Sequence, residues 1–279
     1  MQLFGVDFTS APSRRKAIVV AGGRCSGAAR LRLDSVIRLS QWTAFEQWLR
    51  QPGPWTAGFD FPFGLPRELL RALEWPCQDD DGQSGWSRSM THVADLPRQQ
   101  MVAQFKQFCD ARPSGSKFAH RACDIPAGSS PSMKWVNPPV AFMLQAGVPR
   151  LVHAGVQIPG LHRGDPQRVA LEAYPGLLAR AIIGHTSYKS DDKRKQTNER
   201  RQRRVQIVAA LKRGANPLSL HLEVCDSRIE HECVDDASGD TLDAVLCLMQ
   251  ATWGWFRRDA GYGFPDTVDP LEGWIVTAA

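Results

Sequence analysis

The sequence offers no cysteine framework. Its seven cysteines, Cys25, Cys77, Cys109, Cys123, Cys225, Cys233 and Cys247, are odd in number and scattered, without one C-x-x-C pair. This excludes a disulfide scaffold, and the simplest expectation is a reduced, cytoplasmic protein. Long hydrophobic runs are missing as well. The longest uncharged apolar stretches, such as residues 135–149, are too short and too rich in proline to span a bilayer, so no membrane association is expected. No targeting segment is expected either, because Asp7 interrupts the first apolar run and Arg14, Arg15 and Lys16 follow it rather than precede it. The signatures G-x-G-x-x-G, G-x-S-x-G and H-E-x-x-H are absent. Gly22 to Gly27 has phosphate-loop spacing, but Ala28 and Ala29 stand where Lys and Ser or Thr would meet phosphate and magnesium.

What is present is the composition of an ordinary globular chain: 279 residues, 43% apolar and 23% charged, with a net charge of +5. Apolar and β-branched runs predict strands over residues 2–8 and 16–21, and alternation predicts a third over 28–39. Trp42, Phe45 and Trp48 at helical spacing predict a helix over 41–50, closed by Pro52, before a fourth strand over 55–61. Residues 62–166 are too long for a structureless loop and are read as an inserted helical cap, approximately 67–165, with helices over 66–74, 96–110 and 138–147. A fifth strand over 168–174 follows, then a short helix over 175–183, a basic helix over 197–214 and a final amphipathic helix over 238–253. The expectation is a single α/β domain over residues 1–279, with a mixed five-stranded sheet flanked by helices and the insertion between strands 4 and 5.

Several carboxylates fall where these elements end. Asp7 closes the first strand, Asp60 the fourth, Glu172 lies late in the fifth, and Asp240 and Asp243 share one face of the last helix at i, i+3. Asp236 lies one turn earlier if that helix starts so soon. Each acid has an ordinary alternative: Asp7 before Thr9 and Ser10, and Asp60 before Phe-Pro, can cap turns, and Asp240 suits the positive end of a helix. An acid in an apolar strand is expensive to bury unless it is paired or binds a metal, however. Several such acids on separate elements point to one site for Mg²⁺ or Mn²⁺, hard cations that activate water in phosphodiester cleavage, in some sites as a pair about 4 Å apart. A zinc site is not expected from His221, Cys225, His231 and Cys233, whose spacing matches no standard finger.

Positive charge is concentrated. Residues 189–213 hold ten basic residues against Asp191, Asp192 and Glu199, and the rest of the chain carries a net charge of −2. Within this segment Val205, Val208, Ala209 and Leu211 are expected to form an apolar face. Lys193, Arg194, Lys195, Arg200, Arg201, Arg203 and Arg204 are then either a phosphate-contacting surface or a solvated helix face.

Four blocks, Gly5-Val6-Asp7-Phe8, Gly58-Phe59-Asp60-Phe61-Pro62-Phe63-Gly64-Leu65-Pro66, Glu172-Ala173-Tyr174-Pro175 and Asp240-Thr241-Leu242-Asp243-Ala244-Val245, resemble those of the DUF429 family, as does the late Glu272-Gly273-Trp274-Ile275. That family is a group of predicted nucleases assigned to the ribonuclease H-like fold. The resemblance implies a sheet whose first three strands are antiparallel, with acids converging at its edge. It makes Asp7 the strand 1 acid, Asp60 the strand 4 acid and Asp243, with Asp240 beside it, the acid of the last helix, and Glu172 a fourth candidate. The reading that follows is a metal-dependent nuclease or phosphodiesterase in which Asp7, Asp60, Asp240 and Asp243 provide the metal ligands. Asp7, Asp60, Glu172 and Asp243 are its catalytic candidates, and nucleic acid or another phosphodiester is its substrate. Two rivals are a phosphotransferase of the actin-like or sugar-kinase type, although Asp7-Phe8-Thr9-Ser10 lacks the glycine of its phosphate hairpin, and a non-catalytic nucleic-acid-binding protein.

Overall fold

The structure is a computed structural model that describes residues 1–278. Three antiparallel strands open the chain: β1 (Gln2–Asp7), β2 (Ile18–Gly27) and β3 (Arg30–Leu39). Helix α1 (Trp42–Leu49) leads to β4 (Trp55–Phe59), which pairs in parallel with β1. Five helices follow: α2 (Arg67–Ala72), α3 (Gly85–Asp95), α4 (Arg98–Asp110), α5 (Asp124–Ala127) and α6 (Val140–His153). The short β5 (Val156–Gln157) and the longer β6 (Asp165–Glu172) precede α7 (Pro175–Ile183) and α8 (Asn198–Arg213). The chain then forms β7 (His221–Val224), α9 (Ser227–Asp235) and α10 (Asp240–Phe256).

The mixed sheet has seven strands in the order β5-β6-β4-β1-β2-β3-β7, not the five expected. The two additional strands lie at its edges and hold two and four residues, too few to show the alternation by which a strand is recognised in sequence. Helix α6 also runs past its expected end, through Pro149 to His153. Helix α3 is not among the expected helices, because Gly82, Ser84 and Gly85 read as loop; the Ser84 hydroxyl caps it by accepting from the amide of Ser87. No helix among the described residues is long and apolar enough to cross a membrane.

Helices cover both faces of the sheet. Val6, Ala57 and Phe59 of the central strands join Phe45, Trp86, Phe105 and Leu144 in one continuous core, so the helices of the 67–153 region pack on that face. On the other face Leu3, Val19, Leu31 and Leu33 meet Leu178, Ile207, Val208 and the buried side of α10.

Strand alternation decides which residues meet α10. Leu3, Gly5 and Asp7 share its side of β1, and Gly5 is in register with Gly58 of β4. A Cβ on Gly5 would overlap the carbonyl oxygen of Ala244, and one on Gly58 would lie 2.6 Å from the carbonyl oxygen of Cys247. Helix and sheet therefore touch backbone to backbone, and Asp243 is carried down to the carboxyl ends of β1 and β4. Gly5→Ala is expected to destabilise the fold by about 3 kcal/mol or more, the upper range of overpacking, because the obstacle is backbone and cannot yield. Urea unfolding measures this; a loss below about 1 kcal/mol would show that α10 shifts freely.

Candidate metal centre

Three sequence-distant acids converge. Asp7 ends β1, Asp60 follows β4 with its amide donating to the carbonyl of Val6 at 2.9 Å, and Asp243 lies in the first turn of α10. One carboxylate oxygen of each lies within 4.8 Å of the other two. It is the only group of three or more such ligands that converges among the described residues; His221, Cys225, His231 and Cys233 do not come together in this way.

The electrostatics are those of a site lacking counter-charge. Asp7 is 6% and Asp243 0% exposed. Burial first, and then the charges of Asp243 and Asp240, hold Asp7 well above the usual carboxylate range. Burial pushes Asp60 up to about 7, with Asp243 adding to the rise and Lys189 opposing it. Asp243 is also raised by burial, against the lowering influence of Lys189 and Tyr188. The Oδ2 of Asp7 is buried without a hydrogen-bond partner, a costly arrangement for a structural acid.

Two further residues complete the surroundings. The Tyr188 hydroxyl donates to Oδ1 of Asp243, and the Lys189 ammonium donates to Oδ2. Burial works against the charge of Lys189, but Asp243 above all keeps it well above the usual lysine value. Both residues precede the basic helix, and 54 positions separate Lys189 from Asp243, so no spacing signals the contact. In the sequence Lys189 is only one charge among ten.

The other expected acids stand outside the trio, although Glu172 lines the same cleft. Asp240 is not among the converging ligands and accepts from Lys16 at 2.6 Å. Asp236, one turn earlier, instead caps the helix by accepting the amide of Thr241 at 3.0 Å. Glu172 pairs in register with Phe59, so alternation sends it to the opposite face of the sheet from Asp60. There it meets buried Arg121 in a two-pronged ion pair of 2.6 and 2.8 Å and accepts the amide of Phe63 at 2.8 Å. Arg121 also binds Asp124, so Glu172 already has its cation. Val169, Leu171 and Ala173 pack with Cys247 on the α10 side, the opposite parity from Glu172.

The basic segment is divided by the fold. Lys193, Arg194 and Lys195 form an exposed 3-10 turn, in which Arg194 pairs with Asp192. Arg200 donates to the carbonyl of Lys195, Arg201 pairs with Asp235, and Arg203 bonds Gln206. Arg204 is only 3% exposed and donates to the carbonyls of Tyr188 and Val234 at 2.6 Å each, so it supports the trio's surroundings rather than an outer surface. This also rotates the expected apolar face: Ile207, Val208, Ala210 and Leu211 are buried, while Val205 is exposed.

Asp7 and Asp60 open into a cleft of about 720 Å³. Lys16, Lys189, Arg121 and Glu172 also line it, and Pro139, Val140, Met143 and Tyr174 give it apolar surface. The donor set suits a hard divalent cation, for which Asp7, Asp60 and Asp243 would be the ligands.

A seven-stranded mixed α/β sheet carrying three converging carboxylates, two buried and one half-buried, defines the class of protein. The chain belongs to the DUF429 family, whose description is "Protein of unknown function" and whose family model matches residues 5–269. No curated protein and no solved structure matches it.

The raised Asp60 has a signed consequence. Between its ordinary 3.8 and about 7 the folded protein holds a proton that the unfolded chain releases, so this group makes stability fall as pH rises through that window. Melting curves of the metal-free protein are expected to fall relative to Asp60→Asn over this range, and Mn²⁺ is expected to stabilise the wild type increasingly toward pH 7 and above. Parallel curves for the two proteins would contradict the assignment.

Proposed function

We propose that the chain is a divalent-metal-dependent phosphodiesterase acting on nucleic acid, built on a ribonuclease H-like core and working in the cytoplasm. The observation that carries this reading is the convergence of Asp7, Asp60 and Asp243 with Asp7 Oδ2 left unpartnered. When bound, Mg²⁺ or Mn²⁺ supplies water activation and charge neutralisation at the leaving oxygen. Asp7, Asp60 and Asp243 hold the cation. Tyr188 and Arg204 fix Asp243 through the chain Arg204–Tyr188 carbonyl and Tyr188 hydroxyl–Asp243. Glu172 and Arg121 hold β6 against the segment that carries Phe63, and Asp240 keeps Lys16 at the cleft.

Two features favour a nucleic-acid substrate. The cleft joins a charged floor to an apolar wall, as a phosphate and an unstacked base require. The segment that supplies Tyr188 and Lys189 continues directly into exposed Lys193, Arg194 and Lys195, and Arg200, Arg201 and Arg203 extend that charge along α8 as a backbone-tracking surface.

The test is turnover of bis(4-nitrophenyl) phosphate and of labelled DNA and RNA strands with Mn²⁺. Hydrolysis by the wild type is expected to fall more than about 100-fold in Asp7→Asn, beyond the 10–100-fold typical of outer-shell changes. Lys193→Ala with Lys195→Ala is expected to weaken oligonucleotide binding and flatten its salt dependence while the small diester is cleaved normally. No turnover of any of these substrates by the wild type, or unchanged turnover in Asp7→Asn, would overturn the reading.

A further inference from the structure

The three carboxylates are not alone in their cleft, and the fold takes care to place the fourth group. The stem of Lys189 runs over Gly239, where φ is +82° and a Cβ would fall 2.7 Å from the Cβ of Lys189. The next residue, Ser190, donates its amide to the carbonyl of Ala237 at 3.1 Å, and the preceding residue, Tyr188, has its carbonyl held by buried Arg204 at 2.6 Å. Anchors on both sides thus aim the ammonium at Oδ2 of Asp243. A lysine held this way has lost the freedom that makes an exposed ion pair weak.

Lys16 is shared by Asp240 and Asp191, and Arg121 by Glu172 and Asp124, so neither cation serves the trio alone. Lys189 is the cation that pairs directly with a carboxylate of the trio. An ion pair about 4 Å apart is commonly held by a carboxylate giving one oxygen to each ion. In Asp243 one oxygen receives Tyr188 and the other Lys189. The outer flank of Oδ2 is therefore occupied by nitrogen.

We propose that Lys189 takes the place of a second metal ion, so that the centre binds a single divalent cation and the ammonium is the other positive charge facing a phosphoryl oxygen. This rests on the reading of the trio as a metal centre and adds its stoichiometry. The two are separated by counting Mn²⁺ bound to the full-length protein by calorimetry, with electron paramagnetic resonance to distinguish an isolated ion from a coupled pair. The wild type is expected to bind one Mn²⁺ with an isolated-ion spectrum, Asp7→Asn none, Lys189→Arg one, and Lys189→Met two with a coupled spectrum. Melting curves establish that each variant is folded, and the wild-type count stands even where one is not. Two coupled ions in the wild type, or one ion in a folded Lys189→Met, would overturn the role of Lys189. No Mn²⁺ bound by the wild type would overturn the metal reading beneath it.

Discussion

The contact on which the rest depends is the one between α10 and the two central strands. Side chains normally keep a helix about 10 Å from a sheet, at which distance an acid in its first turn would not reach acids at the strand ends. Gly5 and Gly58, in register on neighbouring parallel strands, remove that spacing where the carbonyls of Ala244 and Cys247 come down. Asp243 lies one position before the first of these contacts, and Asp7 and Asp60 lie two positions beyond the two glycines. One close approach thereby sets all three carboxylates, each from an element held rigidly in the core. A site assembled this way is preorganised by backbone and needs no loop to close it.

A second constraint is the different treatment of the buried charges. Glu172 is fully paired with Arg121, and Asp240 is paired with Lys16. Asp7 keeps an unpartnered oxygen, and Asp60 is raised to about 7. The protein supplies cations to its other acids, half-exposed Lys16 to the trio's own helix and buried Arg121 to β6, the strand beside β4. That it leaves three acids short of positive charge at one cleft is the usual cost of a functional site, where stability is given up for a ligand. Lys189 meets part of the deficit without removing it.

Much of this architecture is legible in the sequence. Period-two alternation and helical spacing place Asp7, Asp60 and Asp243 at the ends of their elements, and the basic stretch ends its helix at Gly214, whose φ of +69° is a left-handed cap. Glu172 also stands at a strand end, but its register with Phe59 puts it on the opposite face from Asp60, and it lines the cleft while paired with Arg121. Asp240 looks like a ligand because its partner, Lys16, is 224 positions away. Tyr188, Lys189 and Arg121 do not stand out as site residues for the same reason, since their roles arise from contacts across the fold. Arg204 falls among the surface arginines because charge normally marks exposure, and two carbonyl acceptors reverse that rule. Helix α9 presents only a narrow apolar stripe, Ile229, Cys233 and Val234, of which Cys233 alone is fully buried.

The central claim is that Asp7, Asp60 and Asp243 hold a divalent cation. Anomalous scattering from a crystal soaked in Mn²⁺ tests it most directly. The account predicts a manganese peak about 2 Å from a carboxylate oxygen of each of the three, with Asp240 still on Lys16 and Glu172 still on Arg121. A fully soaked crystal with no peak among these carboxylates would contradict it.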